Sequence, residues 1–238
     1  MVQAFFSIDI VTGTKFKYTE TETVWKDAFE FFFYGSEAML LGRNILDGYD
    51  QHHFLFWKSL GDCIVFRSSC LDSTTFSRRV QTFQTFLHRF SRVLKKSFNL
   101  EVKSCIWYVD ESINLTLKLG KREDYIGPDM DVGFRLSSVT RARRCLMAMD
   151  SVVLLSESDI ADQFEFLHLG WRKLKGIKSE TNYPIFQVQS RLDFWDSSLV
   201  EEYRGSKGES GRGVLSPKDA KELILQYKDN LDFNPKTL

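Results

Sequence analysis

The sequence predicts an α+β domain with a mixed, mostly antiparallel sheet flanked by helices. Short apolar segments rich in β-branched and aromatic residues recur along the chain, as expected of strands. From Phe76 to Leu94, apolar residues are spaced three and four apart, which is the period of a helix lying on a core. Several strand-like segments are separated by tight turns, which join antiparallel neighbours. Together these patterns indicate a layer of helices packed on a sheet.

Composition narrows the class of protein. The 238 residues suffice for one large domain, or for one domain with an extension, and 43 % hydrophobic residues can form an ordinary core. Thirty-two basic residues balance thirty-two acidic ones, so neither a nucleic-acid partner nor a polybasic membrane anchor is expected. No apolar run approaches the roughly 20 residues that span a bilayer. Four scattered cysteines without metal spacing indicate reduced thiols, and we expect a cytoplasmic protein.

The first elements follow from local pattern. Residues 3–11 predict a buried strand, and residues 12–17 a turn through Gly13. A helical pattern then runs from about Thr23 to Leu46.

A hairpin and a long helix come next. Strands are predicted at 53–58 and 62–67, with Gly61 in the turn between them. Ser73 is expected to cap the helix that carries the apolar stripe, because its side-chain oxygen can accept a bond from a first-turn amide.

The second half of the sheet is predicted in the same way. A strand is expected at 100–109, with residues 113–119 as its antiparallel neighbour, and a helix at 130–139. Residues 144–155 are expected to form a strand and then a short helix. A strand pair near 167–175 and 184–190 is expected to close the sheet.

The amino-acid composition of the chain changes after residue 196. We expect one domain over residues 1–196, and a flexible linker with a helix over 197–238, because residues 202–213 are polar and glycine-rich. Ser216, Pro217 and Asp219 form a helix start with a cap, a first-turn proline and an acidic residue three places after the cap. This helix is expected to pack on its own domain or on a partner subunit.

Two aspartates are the first candidates for chemistry. Asp9 follows an apolar strand, and Asp62 follows Gly61. If their strands are neighbours, the two carboxylates suit Mg²⁺ or Mn²⁺, which proteins hold with one or two carboxylates plus phosphate oxygens. Each aspartate taken alone fits a strand end that begins a turn better than a metal site, and only the joint pattern favours metal binding.

Four segments together resemble class III nucleotidyl cyclases, the family of adenylate and guanylate cyclases. FSIDIVTGTKF resembles the family's first metal strand and the turn over the triphosphate, and KSLGDCIVF its K-x-x-G-D segment. DYIGPDMDVGFRL resembles its D-x-x-G-x-x-V-N-x-x-x-R segment, and WRKLKGIKSETNYPIFQV its closing L-K-G hairpin. The match covers roughly residues 5–190, in the family's order. It implies a cyclase fold with a ferredoxin-like core.

The resemblance implies a role for each matched residue. Two divalent cations, Mn²⁺ or Mg²⁺, would be held by Asp9, by Asp62 and by the carbonyl of Ile10. Lys58 and Asp124 would contact the base. Arg135 would stabilise charge on the reacting phosphate, and Lys175 would bind the terminal phosphates. The family assembles its sites head to tail, so a homodimer with two equivalent sites is implied.

One position departs from the family pattern. Asp131 stands where the family usually has an asparagine that orients the ribose, and a carboxylate only accepts hydrogen bonds unless it is protonated. Either Asp131 pairs with a nearby cation, or the ribose is placed differently.

The IGPDMDVGFR form resembles the pyrimidine cyclases of bacterial anti-phage Pycsar systems. Such cyclases make cyclic UMP or cyclic CMP for a separate effector protein that binds the cyclic nucleotide, and of the two we expect conversion of UTP to cyclic UMP. An adenylate cyclase remains an alternative, because Lys58 and Asp124 are an adenine-type pair. A non-catalytic nucleotide sensor is the second alternative.

Overall fold

The computed structural model describes residues 2–46, 54–120, 122–177, 182–191 and 213–230. The strands are β1 (Val2–Ile10), β2 (Leu55–Leu60), β3 (Cys63–Cys70), β4 (Val102–Val109), β5 (Leu115–Leu119), β6 (Arg122–Ile126), β7 (Cys145–Met147), β8 (Phe164–Arg172), β9 (Tyr183–Ser190) and β10 (Gly213–Leu215). The α-helices are α1 (Gly13–Thr19), α2 (Glu22–Glu30), α3 (Ser36–Leu46), α4 (Ser73–Phe98), α5 (Pro128–Val139), α6 (Met149–Ser156) and α7 (Pro217–Asn230).

Within the described residues, eight strands form one sheet, in the order β10-β8-β9-β7-β4-β1-β3-β2. Every neighbouring pair is antiparallel except β4 and β7, which are parallel. Strands β5 and β6 form a separate antiparallel hairpin. The predicted α+β class, with a mixed and mostly antiparallel sheet flanked by helices, is therefore confirmed.

The two faces of the sheet are covered differently, because successive strand residues point to opposite sides. On β1, Phe6 packs against Phe83 of α4 with ring centroids 4.9 Å apart. The adjacent Phe5 packs on the other side, 5.7 Å from Trp107 and 5.2 Å from Tyr125 of β6. We call these sides the Phe6 face and the Phe5 face. The long helix covers the first, and the β5–β6 hairpin and α5 cover the second.

Helix α4 has the predicted apolar stripe but a different cap. Phe76, Phe83 and Phe90 of the stripe are fully buried. The cap is Asp72 rather than Ser73, because the Asp72 carboxylate accepts a hydrogen bond from the backbone N–H of Thr75 at 2.7 Å. Ser73 becomes the first helical residue. Both residue types are good caps, and the helix begins one residue earlier than the sequence pattern suggested.

Helix α5 lies unusually close to the sheet. A Cβ placed on Gly133 would lie 2.3 Å from Cδ2 of Trp107, inside any permitted contact distance. Only a residue without a side chain allows the helix backbone to rest on the indole. Gly133 therefore sets the separation between α5 and β4.

Three further expectations change in detail. Residues 113–119 were expected to pair with the strand at 100–109, but β5 pairs with β6 instead. Gly13 begins α1 rather than lying in a simple turn. The predicted helix from Thr23 to Leu46 contains a π-helical segment, Phe31–Gly35, between α2 and α3.

The C-terminal elements pack on the same sheet and its helices. Strand β10 extends the sheet by pairing with β8, and α7 buries Ala220 and Ile224. The predicted cap is present, since the Ser216 hydroxyl accepts from the Asp219 N–H at 3.1 Å. Lys228 of α7 bonds to Asp150 of α6. Most of the predicted linker at 202–213 lies outside the described residues, and the domain boundary at residue 196 stays a prediction.

The structure also describes the state of the cysteines and the character of the helices. The thiols of Cys63, Cys70, Cys105 and Cys145 are free and buried. Among the described helices, none is both long enough and apolar enough to cross a bilayer.

Candidate functional site

The two candidate metal aspartates lie at the same end of two adjacent strands. Strands β1 and β3 are hydrogen-bonded neighbours, and Asp9 stands opposite Cys63, the residue after Asp62. The backbone N–H of Ile10 donates to the carbonyl of Asp62 at 3.1 Å. The predicted adjacency of the two strand ends is thus present, and the segments around Asp9 and Asp62 are in direct contact.

The Asp9 carboxyl group is mostly buried and lies between opposing charges. Burial raises its pKa, and the neighbouring Asp62 carboxylate raises it further, whereas Lys103 acts to lower it. The Lys103 ammonium lies 3.0 Å from Oδ2 of Asp9, and each side chain is 18 % exposed. A negative pocket partly neutralised by one lysine can accept additional positive charge.

Gly13 contacts the second aspartate. A Cβ at this position would lie 2.3 Å from Oδ2 of Asp62, so only glycine lets the start of α1 approach the carboxylate. The loop after β1 therefore closes over Asp62. This places the first turn of α1 beside Asp62.

The two candidate base-contacting residues bond to each other. Lys58 of β2 donates to Oδ1 of Asp124 on β6 at 2.7 Å. Burial acts to raise the pKa of Asp124, but hydrogen bonds from Lys58 and from the Tyr125 N–H outweigh it and lower the pKa. The side chains are 29 % and 37 % exposed, so this ion pair remains open to a ligand.

Asp131 and Arg135 lie one turn apart on α5, and both are exposed. The Asp131 carboxylate makes no hydrogen bond or ion pair with the described residues. The cation that was considered as its partner is therefore not found in this part of the chain. An Nη atom of Arg135 lies 3.7 Å from where a Cβ of Gly176 would be. Lys175, the residue before Gly176, is also exposed. The structure thus brings Arg135 next to the turn that carries Lys175.

Two residues near these groups were missed by the sequence reading. Lys103 binds Asp9, but its place beside Asp9 depends on the register between β4 and β1, which the sequence does not state. Trp57 lies under the Lys58 ammonium, 3.8 Å from the ring centroid. Its contact depends on a bulge in β2 that has no local sequence signature.

The residues at the strand ends fit divalent cations only in part. Asp9 and Asp62 supply carboxylate oxygens and Ile10 a backbone carbonyl, which are the ligands that hard cations prefer. Within the described ranges, no group of three or more His, Cys, Asp or Glu side chains could hold an ion. A metal here would need further oxygens from water or from a bound phosphate, as is usual for Mg²⁺.

Comparisons by sequence find no counterpart. No protein-family model matches the chain, and no curated protein is significantly similar to it.

Comparison by structure gives consistent matches to one kind of domain. The adenylyl cyclase CyaB of P. aeruginosa aligns with a TM-score of 0.62 at 19 % identity, over 81 % of this chain and 96 % of that one. The guanylate cyclase domain of RhGC from Catenaria anguillulae, solved with GTP, gives 0.58 at 12 %, over 80 % and 97 %. Adenylate cyclases of Trypanosoma brucei in their monomeric state give 0.57 at 14 %, over 90 % and 94 %. This chain therefore has the fold of the adenylyl and guanylyl cyclase catalytic domains.

Proposed function

We propose that the protein is a nucleotidyl cyclase that converts a nucleoside triphosphate into a 3′,5′-cyclic nucleotide and pyrophosphate. The observation that carries this proposal is the position of Asp9 and Asp62 at the joined ends of β1 and β3, with Gly13 against the second carboxylate. The proposal is also supported by the fold, because the structural neighbours are adenylyl and guanylyl cyclases.

Asp9, Asp62 and the Ile10 carbonyl are the proposed ligands for two divalent cations, Mn²⁺ or Mg²⁺. Bound there, such ions supply activation of the ribose 3′-hydroxyl and neutralisation of the phosphate charge. The Lys103 ammonium neutralises part of the negative charge of this pocket through its ion pair with Asp9. It therefore keeps two close carboxylates compatible with one another before substrate binds.

Arg135 acts on the charge that develops on the reacting phosphate, and Lys175 on the terminal phosphates. The support is that both are exposed and lie at the same place, next to Gly176. Positively charged groups that are already in position contribute most where charge appears in the transition state. Asp131, one turn before Arg135, faces the ribose.

The two sets of residues act across a head-to-tail homodimer. One protomer supplies Asp9 and Asp62, and its partner supplies the base-contacting pair and α5. Exposed apolar side chains support an interface on β2 and on the β5–β6 hairpin, where Phe56 is 48 %, Leu115 57 % and Ile126 56 % exposed. An interface there would remove these apolar side chains from water.

UTP is the preferred substrate in this proposal, and cyclic UMP the product. The support is the IGPDMDVGFR segment, which resembles that of the anti-phage pyrimidine cyclases. In such a setting the product is a second messenger for a separate effector. An adenylate cyclase is the alternative favoured by the Lys58–Asp124 ion pair. A nucleotide sensor without turnover is the alternative favoured by Asp131, whose carboxylate has no partner among the described residues.

One assay separates these activities. Purified protein is incubated with each of the four ribonucleoside triphosphates and Mn²⁺, and cyclic nucleotide and pyrophosphate are measured. Product from UTP alone supports the uridylate cyclase, and product mainly from ATP supports the adenylate cyclase. Nucleotide binding without pyrophosphate release supports the sensor. Absence of both binding and product with all four would refute the proposed function.

A second experiment tests the shared site. Asp62→Ala and Arg135→Ala proteins are each prepared and then mixed. Each alone should be inactive, and loss of the arginine should cost on the order of 10³-fold in rate, as for other single arginines at phosphates. Mixed dimers contain one intact site and should regain part of the activity. If the protomers exchange, as checked by differently tagged chains, and no activity returns, the site is not shared.

A further inference from the structure

Trp57 owes its position to an irregularity in β2. Phe56 pairs with Phe66 of β3, but the next paired residue is Lys58, opposite Val65, so Trp57 is the extra residue of a bulge. Without the bulge, Trp57 and Lys58 would point to opposite faces. With it, both lie on the Phe5 face, where the Trp57 ring is 4.9 Å from that of Phe5. The bulge therefore places Lys58 on the same side as α5.

Trp57 contacts both strands that carry the ion pair. Its ring lies under the Lys58 ammonium at 3.8 Å, a favourable cation–π contact. Its indole N–H donates to the carbonyl of Glu123 at 2.9 Å, and Glu123 directly precedes Asp124. One side chain thus fixes the lysine and, through the backbone of β6, its carboxylate partner.

The Lys58–Asp124 ion pair by itself offers one set of hydrogen-bond donors and one acceptor, which every base can match. Lys58 has three N–H donors, of which one is used by Asp124. Oδ1 of Asp124 accepts from Lys58 and from the Tyr125 N–H, which leaves Oδ2 as an acceptor. Adenine, guanine, cytosine and uracil all have a donor next to an acceptor on the Watson–Crick edge. The pair therefore reads a base selectively only if it is held at a defined distance from the ribose.

Trp57 also links the ion pair to the helix that would handle the ribose and phosphate. Its ring stacks on Phe134 of α5, with centroids 6.4 Å apart and planes 24° from parallel. Phe134 lies between Asp131 and Arg135 in that helix. A purine holds its Watson–Crick edge farther from the ribose than a pyrimidine does. The spacing between the ion pair and α5 therefore distinguishes the two ring sizes.

The geometry points to Trp57 as the positioning residue that sets base selectivity, by fixing the Lys58–Asp124 pair relative to α5. This inference rests on the proposed function, since it assigns the base to that pair. All these residues belong to one protomer, so it does not depend on the dimer. A merely structural tryptophan would affect the four nucleotides alike, whereas a positioning residue changes their ratio.

The test uses Trp57→Leu and the milder Trp57→Phe, which keeps an aromatic ring and loses the indole N–H. The matched control is Trp25→Leu, a partly buried tryptophan of α2 whose recorded ring contacts are with Phe29 and Lys26. For each protein, kcat/KM is measured with UTP, CTP, ATP and GTP, and folding is checked by thermal melting. We expect the ratio between the best pyrimidine and the best purine to shift about tenfold in Trp57→Leu. This is the size expected for losing one cation–π contact and one hydrogen bond. The control should keep the wild-type ratio.

A binding measurement separates this inference from the proposed function. Competition of each triphosphate against a fluorescent nucleotide reports selectivity without turnover. If the wild type binds selectively but releases no pyrophosphate, and Trp57→Leu loses the preference, the proposed function fails and the role of Trp57 stands. A wild type without base preference, or an equal loss for all four nucleotides in both variants, would overturn the role of Trp57. If Trp57→Leu does not fold, the ratio in Trp57→Phe decides.

Discussion

Gly133 gives the sharpest test of how α5 is positioned. A Cβ in Gly133→Ala would lie 2.3 Å from the Trp107 indole, whereas ordinary contact begins at 3.4 Å, so helix or indole must move by 3.4 − 2.3 = 1.1 Å. Overpacking of this kind costs about 1–3 kcal/mol. Alanine in a helix interior is more stable than glycine by about 1 kcal/mol because of its higher helix propensity, and this gain offsets part of the cost. The expected net change is therefore a loss of about 0–2 kcal/mol in the free energy of unfolding.

Gly42→Ala is the matched control, because Gly42 also lies within a helix and a Cβ there would meet nothing within 4 Å. It should gain about 1 kcal/mol from propensity alone. Urea unfolding of the two variants should therefore differ by about 1–3 kcal/mol, the overpacking cost by itself.

Activity is the second measurement on the same pair. Helix α5 carries Asp131 and Arg135, and a displacement of about 1 Å can cost on the order of 10²-fold in rate. We expect such a loss in kcat/KM for Gly133→Ala and none for Gly42→Ala. Equal stability and equal turnover in the two variants would refute the conclusion that contact with Trp107 fixes the helix.

Three further predictions concern stability. Burial raises the pKa of Asp129 to about 6, above its ordinary 3.8. The folded state therefore binds this proton more tightly than the unfolded state, and the resulting stabilisation is fully present below about pH 4 and is lost as the pH rises through 6. Relative to Asp129→Asn, the wild type should lose up to about 3 kcal/mol in urea unfolding between pH 4 and pH 7; parallel pH profiles would contradict this. Asp72→Ala should lose about 1 kcal/mol through its lost cap, and Ser73→Ala less than about 0.5, with the opposite order excluding Asp72 as the cap. Ile224→Asp places an unpaired charge in a fully buried position and should expose α7 to trypsin, unlike Leu225→Asp at a 42 % exposed position; equal cleavage would mean that α7 is not held by this contact.

The sequence predicted what depends on local pattern or on linked motifs. The strand before Asp9, the Gly61 hairpin and the stripe of α4 follow from residue periods that a buried face imposes. The approach of Asp9 to Asp62 followed from the resemblance, because their motifs imply adjacent strands.

What the sequence did not predict depends on register and on competing local choices. Asp72 and Ser73 are both good caps, and only the position where the chain leaves the preceding strand decides between them. Residues 113–119 are close enough in sequence to pair with either neighbouring strand, and β6 was not recognised as a strand. The salt bridge between Lys103 and Asp9 is a contact across strands, and so no nearby residue signals it.

The buried thiols can report local unfolding of the sheet, because they react with a labelling reagent only when the strands around them separate. Burial raises the pKa of Cys63, Cys70 and Cys145 to about 12, so at neutral pH these thiols are protonated as well as shielded, and an alkylating reagent cannot reach a thiolate. They lie on β3 and β7, on both sides of the centre of the sheet. Pulse labelling followed by mass spectrometry would therefore count, strand by strand, which parts of the sheet separate first, without introducing any reporter group.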